Sequence, residues 1–276
     1  MYKRQEGYDV TWLDVDSNGA LDLDQLRSTL RADTAIVSVM LANNETGILF
    51  PVNEVAAIVK ERSNALVHVD GVNAVGKITV DLKSSEVDLF SLSGHKFHAP
   101  KGVGALYIRE GVDLPAFAIG GSQESGRRAG TEAVHQVAGL GAAARHVSDI
   151  SAMRATGVMR DRLENEILAQ IPNARLNGTA DVTKRLPNTS SISFENTNGE
   201  MIMAHLDALG VCVSTGSACN SKTKTASPVL AAMDIPYSAA MGSIRFSLGR
   251  YNTDADIDTV LSSLPGIIQG LRPGAN

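Results

Sequence analysis

The sequence predicts an α/β protein: a mostly parallel sheet covered by helices, followed by a smaller C-terminal α+β domain. Three observations carry this expectation. Short, continuously apolar and β-branched runs recur at 34–42, 66–69 and 87–92, the pattern of strands buried on both faces. Helix-period segments lie between them, and repeated strand–helix–strand order calls for parallel crossovers. Past Gly130 the pattern changes to longer helices separated by single strands. At a working size of about 150 residues per domain, residues 1–150 are expected to form the large domain. Residues 151–276 are expected to form the small one, with the connection inside 145–159.

The elements follow in order. Residues 8–15 read as extended and end in the turn cluster Asp16-Ser17-Asn18-Gly19. Residues 21–30 place apolar side chains at 21, 23, 26 and 30, close to a helical stripe. Pro51 opens the next helix, to about Arg62, because its missing N–H costs nothing in a first turn. Residues 104–108 supply a further strand. Two helices are expected at 131–147, rich in Ala and Gly, and at 153–171, with apolar residues at 159, 163, 167 and 168. The remainder reads as a strand at 190–194, a helix at 200–209, strands at 211–214 and 244–248, and a C-terminal helix from Asp254.

Composition narrows the function classes. Twenty-five basic against 30 acidic residues leave a net charge of −5, which argues against a general binder of nucleic acid or membrane surface. With 43% hydrophobic and 20% charged residues the chain can bury a sizeable core, which excludes disorder as the main theme. The longest apolar run, around 35–42, is less than half the roughly 20 residues of a membrane helix, so no transmembrane segment is expected. Two cysteines, Cys212 and Cys219, make no disulfide framework and fit a reduced, cytoplasmic setting. The opening residues 1–7 lack the apolar core of a signal peptide. Entry into a strand soon after suggests either a compact start or a fragment of a longer protein.

Four loops follow strands and collect polar residues, where α/β sheets bind ligands. Asn43-Asn44-Glu45-Thr46-Gly47 offers an Asn pair for a ligand, or a plain helix-capping loop. In His68-Val69-Asp70-Gly71-Val72-Asn73 a strand runs into an acid, which either points into a crevice or caps the next turn. The third loop, from Ser93 through Gly94, His95 and Lys96 to Pro100, Lys101 and Gly102, puts a lysine after a buried strand. There it is either a Schiff-base nucleophile or an exposed turn residue. Ser93 and His95 could donate to a phosphate. Asp70 and Lys96 together supply what a pyridoxal phosphate site needs: an amine for the aldehyde and an acid for the pyridine nitrogen. The fourth loop is Ser214-Thr215-Gly216-Ser217-Ala218-Cys219-Asn220. Cys212 before it reads as strand packing, and Cys219 as an accessible, reactive thiol or an inert one.

Two further segments stand out. The glycine-rich, basic stretch 120–131 either opens a helix as an anion site or forms a surface turn. Arg245, in an otherwise apolar strand, needs a partner: a substrate carboxylate or a structural ion pair. His135, His146 and His205 match no metal spacing, and neither a dinucleotide fingerprint nor a Walker loop is present.

Taken together, Asn-Asn-Glu-Thr-Gly (43–47), His-Val-Asp (68–70), Ser-Gly-His-Lys with Pro-Lys-Gly (93–102), Arg-Arg-Ala-Gly-Thr (127–131), Gly-Ser-Ala-Cys (216–219) and Ile-Arg-Phe-Ser-Leu-Gly (244–249) resemble the cysteine desulfurases. These belong to the class V aminotransferase group of fold-type I pyridoxal phosphate enzymes. The resemblance covers nearly all of the chain. It implies that Lys96 binds the cofactor and shuttles protons, Asp70 keeps the pyridine nitrogen protonated, and Ser93 and His95 hold the phosphate. It also implies that Thr131 reaches the phosphate of a neighbouring subunit in a homodimer, and that Asn44 and Arg245 bind the substrate, with Asn44 also beside the cofactor. Asn73 stands where the family usually has Gln facing the cofactor's phenolic oxygen. Cys219 would take sulfur from L-cysteine as a persulfide, leaving L-alanine, for an acceptor protein in iron–sulfur assembly or nucleic-acid thiolation.

The family has roughly a hundred residues before the segment matching Tyr8, with a Gly/Thr-rich phosphate-binding turn and a ring-stacking histidine. Neither is found in this sequence. The alternatives are a non-catalytic remnant that keeps a partner-binding surface, and another class V member such as a selenocysteine lyase.

Overall fold

A computed structural model describes residues 7–216 and 226–272. The chain divides into two compact units, one made of Arg31–Leu41 and Val52–Ile150, the other of Met1–Leu30, Ala42–Pro51 and Ser151–Asn276. Residues 8–15 do not form the expected strand. Among the described residues only an isolated bridge from Val15 to Leu21 is made there, and Trp12 is 72% exposed. An extended run without a neighbour to complete its hydrogen bonds stays irregular. The helix α1 (Leu23–Thr29) follows, with the Asp22 side chain accepting from the amides of Asp24 and Gln25.

The first unit is built on a four-stranded sheet, β1 (Ile36–Met40), β2 (Leu66–Asp70), β3 (Leu89–Ser93) and β4 (Gly104–Ile108), in that spatial order. The first three strands are parallel and β4 is antiparallel to β3. Helix α2 (Val52–Arg62) makes the crossover between β1 and β2 and buries Val55, Ala56, Ile58 and Val59. Burial alternates along β1 and β2, where residues were expected to be covered on both faces. Val67 and Val69 are fully buried, whereas Ile36, Ser38, Met40 and Asp70 are exposed. The two-residue period of a strand puts these on the opposite face from the side chains that meet α2. Helix α3 (Val134–Val147) packs Ala143 and Val147 on Phe97, with Leu92 and Leu140 alongside.

The second unit is antiparallel. Helix α4 (Ser151–Gln170) precedes β5 (Ala174–Leu176) and β6 (Thr189–Phe194). Then come α5 (Gly199–Asp207), β7 (Ser214–Thr215), α6 (Pro228–Ala232), α7 (Tyr237–Ala240), β8 (Ser243–Ser247) and α8 (Asp254–Leu271). The strand order is β5-β6-β8-β7. Leu163, Ile167, Ile202, Leu206 and Leu264 from the helices meet Ile192, Phe194 and Ile244 from the sheet in one core. Thr253 and Asp256 close a reciprocal capping box at the start of α8.

Residues 42–51, read from the sequence within the large domain, pack in this second unit. Ile48 joins Leu230, Met233 and Ile235, the Leu49 amide donates to the Lys184 carbonyl at 2.9 Å, and the Leu186 amide donates to the Gly47 carbonyl at 2.7 Å. The short helices α6 and α7 went unread in the sequence, although Ser227-Pro228 is a cap followed by a first-turn proline.

An ion pair inside this unit stands out energetically. Arg185 donates through both terminal nitrogens to Glu164, at 2.7 and 2.6 Å, and Ser190 adds a third bond to the same carboxylate at 2.6 Å. The side chains of Arg185 and Glu164 are only 3% and 6% exposed. Arg160, also buried, bonds the carbonyls of Leu186 and Thr189. Removing the acid takes away the two-pronged partner of Arg185 and leaves its guanidinium and that of Arg160 with Asp161 alone, 3.9 and 2.7 Å away, and breaking such buried pairs costs about 3–5 kcal/mol. Glu164→Ala is therefore expected to lower unfolding free energy by that amount in urea titrations, with its far-ultraviolet spectrum retained below the transition.

Candidate active site

Parallel pairing of β2 with β3 fixes the candidate site in the first unit. Asp70 ends β2 opposite Ser91, and the Gly71 amide donates to the Ser91 carbonyl at 2.9 Å. Both strands therefore finish at the same sheet edge. The Asp70 carboxylate is exposed and one of its oxygens accepts from the Val72 amide at 2.9 Å. The capping and crevice readings are thus compatible: one oxygen shapes the turn while the group stays open to solvent. Three residues on, the side-chain oxygen of Asn73 accepts from Lys77 at 2.8 Å, a local contact the sequence did not suggest.

At the end of β3, the Ser93 hydroxyl lies 2.8 Å from Nδ1 of His95, so the two residues assigned to one anion are joined. Gly94–Phe97 form a single 3₁₀ turn held from below by buried Gly94 and Phe97. A Cβ at Gly94 would come within 2.9 Å of Ala99 and 3.0 Å of Leu140, so only glycine lets the turn sit this close. Lys96 and His95 project from it, exposed. Thr131 is exposed in the connection before α3. In the preceding glycine-rich segment, Arg128 donates to the Gly130 carbonyl at 2.7 Å. That arginine therefore shapes its own loop, and the helix begins at Val134, later than expected.

A polar ladder that the sequence did not disclose crosses this sheet. His68 is bonded to Ser38 at 2.8 Å through one ring nitrogen and lies 3.2 Å from Ser91 through the other. It joins β1, β2 and β3 on the strand face that carries Asp70. Only the pairing register could have revealed it.

In the second unit, Arg245 of β8 donates to the backbone carbonyl of Asn44 at 2.8 Å. Asn44 thus meets Arg245 through its main chain, with its side chain in solvent. The Nε of Arg245 is buried without a hydrogen-bond partner among the described residues. Asn43 is structural: its side-chain oxygen accepts from the amides of Glu45 and Thr46 at 2.8 and 3.0 Å and so folds the loop. Glu45, which the sequence offered only as part of a quoted motif, accepts a 2.5 Å bond from Ser227. Cys212 is exposed, a correction to its reading as strand packing. Its neighbours Val211 and Val213 turn toward the core, and β7 begins only at Ser214, so alternation sends Cys212 outward. Cys219 lies outside the described residues.

The donor set of the first unit fits pyridoxal phosphate. A solvent-facing amine on a rigid turn, a carboxylate at the adjacent strand end and a linked hydroxyl–imidazole pair match an aldehyde, a ring nitrogen and a phosphate in turn.

Burial holds the Glu45 carboxyl above its ordinary value of 4.5, against the opposing pull of the Ser227 hydrogen bond and the Arg245 charge. A raised carboxyl binds its proton more tightly when folded. Its contribution to stability is complete below about 4.5 and is lost as pH rises through the higher folded value. Glu45→Gln removes this loss, so its denaturation midpoint relative to the unsubstituted chain is expected to climb between acid and neutral pH. A difference that stays flat across that range would contradict the assignment.

The family model described as aminotransferase class-V matches residues 1–260. A cysteine desulfurase of Nostoc sp. (strain PCC 7120 / SAG 25.82 / UTEX 2576) is 51% identical over 97% of this chain and 66% of its own length. The cysteine desulfurase NifS of Azotobacter vinelandii is 48% identical over 98% and 67%, respectively. A solved NifS-like protein superposes with a TM-score of 0.89 at 37% identity, covering 98% of this chain and 71% of that one. This chain therefore spans about two thirds of the length of the relatives it matches. The chain therefore belongs to the class-V aminotransferase family, alongside relatives named cysteine desulfurases.

Proposed function

We propose that the protein is a pyridoxal phosphate-dependent cysteine desulfurase. It would convert L-cysteine to L-alanine and carry the sulfur as a persulfide on Cys219 to an acceptor protein. The observation that supports this best is the adjacency of β2 and β3, which sets the Asp70 carboxylate and the Lys96 turn at one sheet edge. When bound, the cofactor supplies an aldehyde for an amine and a ring that stabilises negative charge on the substrate carbons.

The chain's own groups do the rest. Lys96 binds the aldehyde and moves protons between the α and β carbons of the substrate. Asp70 holds a proton on the ring nitrogen, while Ser93 and His95 donate to the phosphate. Thr131 would serve the phosphate of the neighbouring subunit of a homodimer, and Asn73 would face the cofactor's phenolic oxygen. Arg245 would take the substrate carboxylate, with Asn44 beside it. The Cys219 thiolate then attacks the substrate sulfur: the S–S bond forms as the C–S bond breaks, and the carbon keeps the electron pair until protonated. The acceptor would be an iron–sulfur scaffold or a thiolation enzyme of the cytoplasm, the setting that two reduced cysteines suit.

Mixing the purified chain with pyridoxal phosphate is expected to give a visible absorption band that borohydride fixes to the peptide holding Lys96. Lys96→Ala should lose the label; its appearance on Lys101 would overturn the assignment. Cys219→Ala is expected to keep the band and abolish sulfide release from cysteine, measured by a colorimetric sulfide assay. Undiminished sulfide from that variant would remove the persulfide from the reading.

A further inference from the structure

In the turn that leaves β2, Lys77 donates twice to one residue: to the backbone carbonyl of Asn73 at 2.8 Å and to its side-chain oxygen at 2.8 Å. Both residues are half-buried. An ammonium has three donors and no acceptor, whereas a side-chain amide has an accepting oxygen and a donating nitrogen. Only the oxygen of Asn73 can therefore face Lys77, which holds the NH2 group at the end away from it.

This turn is seated against the one that carries Lys96. The Gly71 amide donates to the Ser91 carbonyl at 2.9 Å, and a Cβ at Gly71 would stand 1.8 Å from the Phe90 ring, so the chain leaves β2 hard against β3. The amides of Ala74 and Val75 turn back to the Gly71 carbonyl at 2.9 and 3.2 Å. Val75 packs on the cluster of Phe97, Ala143 and Val147. Gly76, at φ +77°, approaches so closely that a Cβ would meet Val147 at 3.0 Å and Phe97 at 3.3 Å. Phe97 follows Lys96 in the same 3₁₀ turn. Asn73 thus stands on a packed support beside the lysine turn, and Lys77 fixes the sense of its amide.

We propose that Lys77 is a positioning residue: it orients Asn73 so that the amide presents its NH2 group, and not its oxygen, to the phenolic oxygen of pyridoxal phosphate. This rests on the cofactor reading above, in which Asn73 faces that oxygen. A donor there stabilises the negative charge left on the oxygen once the proton it shares with the Lys96 nitrogen departs. It therefore lowers the pH at which the bound cofactor changes its absorption. A hydrogen bond to a charged group moves such a midpoint by about one pH unit.

The first test is the pH midpoint of the visible band of the full chain loaded with pyridoxal phosphate. Asn73→Ala and Lys77→Met are each expected to raise it by about one pH unit. Lys77→Arg, which keeps charge and donors, should stay close to the unsubstituted chain. Asp70, His68 and His95 are the same in every variant. A nearby cation also lowers the midpoint directly, so the double variant decides between the two routes. If Lys77 acts through Asn73, Asn73→Ala with Lys77→Met moves no further than Asn73→Ala alone; additive shifts overturn the proposal.

The orientation is also read without cofactor, from the Asn73 side-chain amide signal of the nitrogen-15-labelled chain, assigned by its loss in Asn73→Ala. Lys77→Met should displace that signal and Lys77→Arg should leave it near its place. Lys77→Gln, uncharged and able to accept as well as donate, is expected to behave like Lys77→Met and carries both measurements if that variant does not fold. An amide signal that Lys77→Met and Lys77→Gln leave unmoved overturns the proposal. If the band forms but Asn73→Ala leaves its midpoint in place, the proposal falls and the cofactor reading survives. If no band forms yet the signal moves in Lys77→Met and not in Lys77→Arg, the orientation by Lys77 stands and the cofactor reading falls.

Discussion

Parallel pairing between β2 and β3 is the constraint on which the candidate site depends. Side chains at 68 and 70 share a face because strand residues alternate, and the pairing register then brings Asp70 opposite Ser91. Parallel neighbours finish at the same end, so the turn after β3 opens beside the acid that closes β2. Buried Val67, Val69 and Phe90 hold the opposite face, which makes a one-residue slip costly: it would send the acid into the core and valines into solvent. The Ser38–His68–Ser91 ladder ties the same three strands on the polar side.

The second unit solves a different problem, since its central strand is polar. Thr189, Ser190, Ser191 and Ser193 of β6 are all buried, and each hydroxyl must find a partner inside the fold. Ser190 bonds Glu164, while Ser193 bonds Asn177 and Ser243. These bonds lock β6 to its helix and to β8, and β8 carries Arg245. A rigid strand under Arg245 matters because its guanidinium reaches the loop that presents Glu45. The same buried polar links that stabilise the unit thereby set the geometry around Arg245, Glu45 and Ser227.

Much of the fold was legible because its signals are local. Continuous apolar runs gave β1 to β3, and the 3.6-residue stripe gave α4. The strand-end position of Asp70 and the turn position of Lys96 could be read the same way. Misreadings occurred where pairing decides. Residues 8–15 have strand composition but pair with no strand among the described residues. Cys212 has an apolar neighbourhood in sequence, yet β7 is too short to enclose it. Glu45 looked like one letter of a motif until Ser227, 182 positions away, was found on its carboxylate.

The sequence alone therefore determined the α/β class, the order of the main elements and the family resemblance, and it singled out the candidate residues for the site. Periodicity and residue type act over a few positions, so one chain read in order is enough to reveal them. Only the tertiary structure decided that Ile48 packs with Leu230 and Met233, that His68 bridges three strands, and that the Glu45 carboxyl accepts from Ser227. Those are contacts between segments distant along the chain, fixed by hydrophobic burial and by the need of buried polar groups for partners, and neither requirement leaves a mark in local sequence spacing.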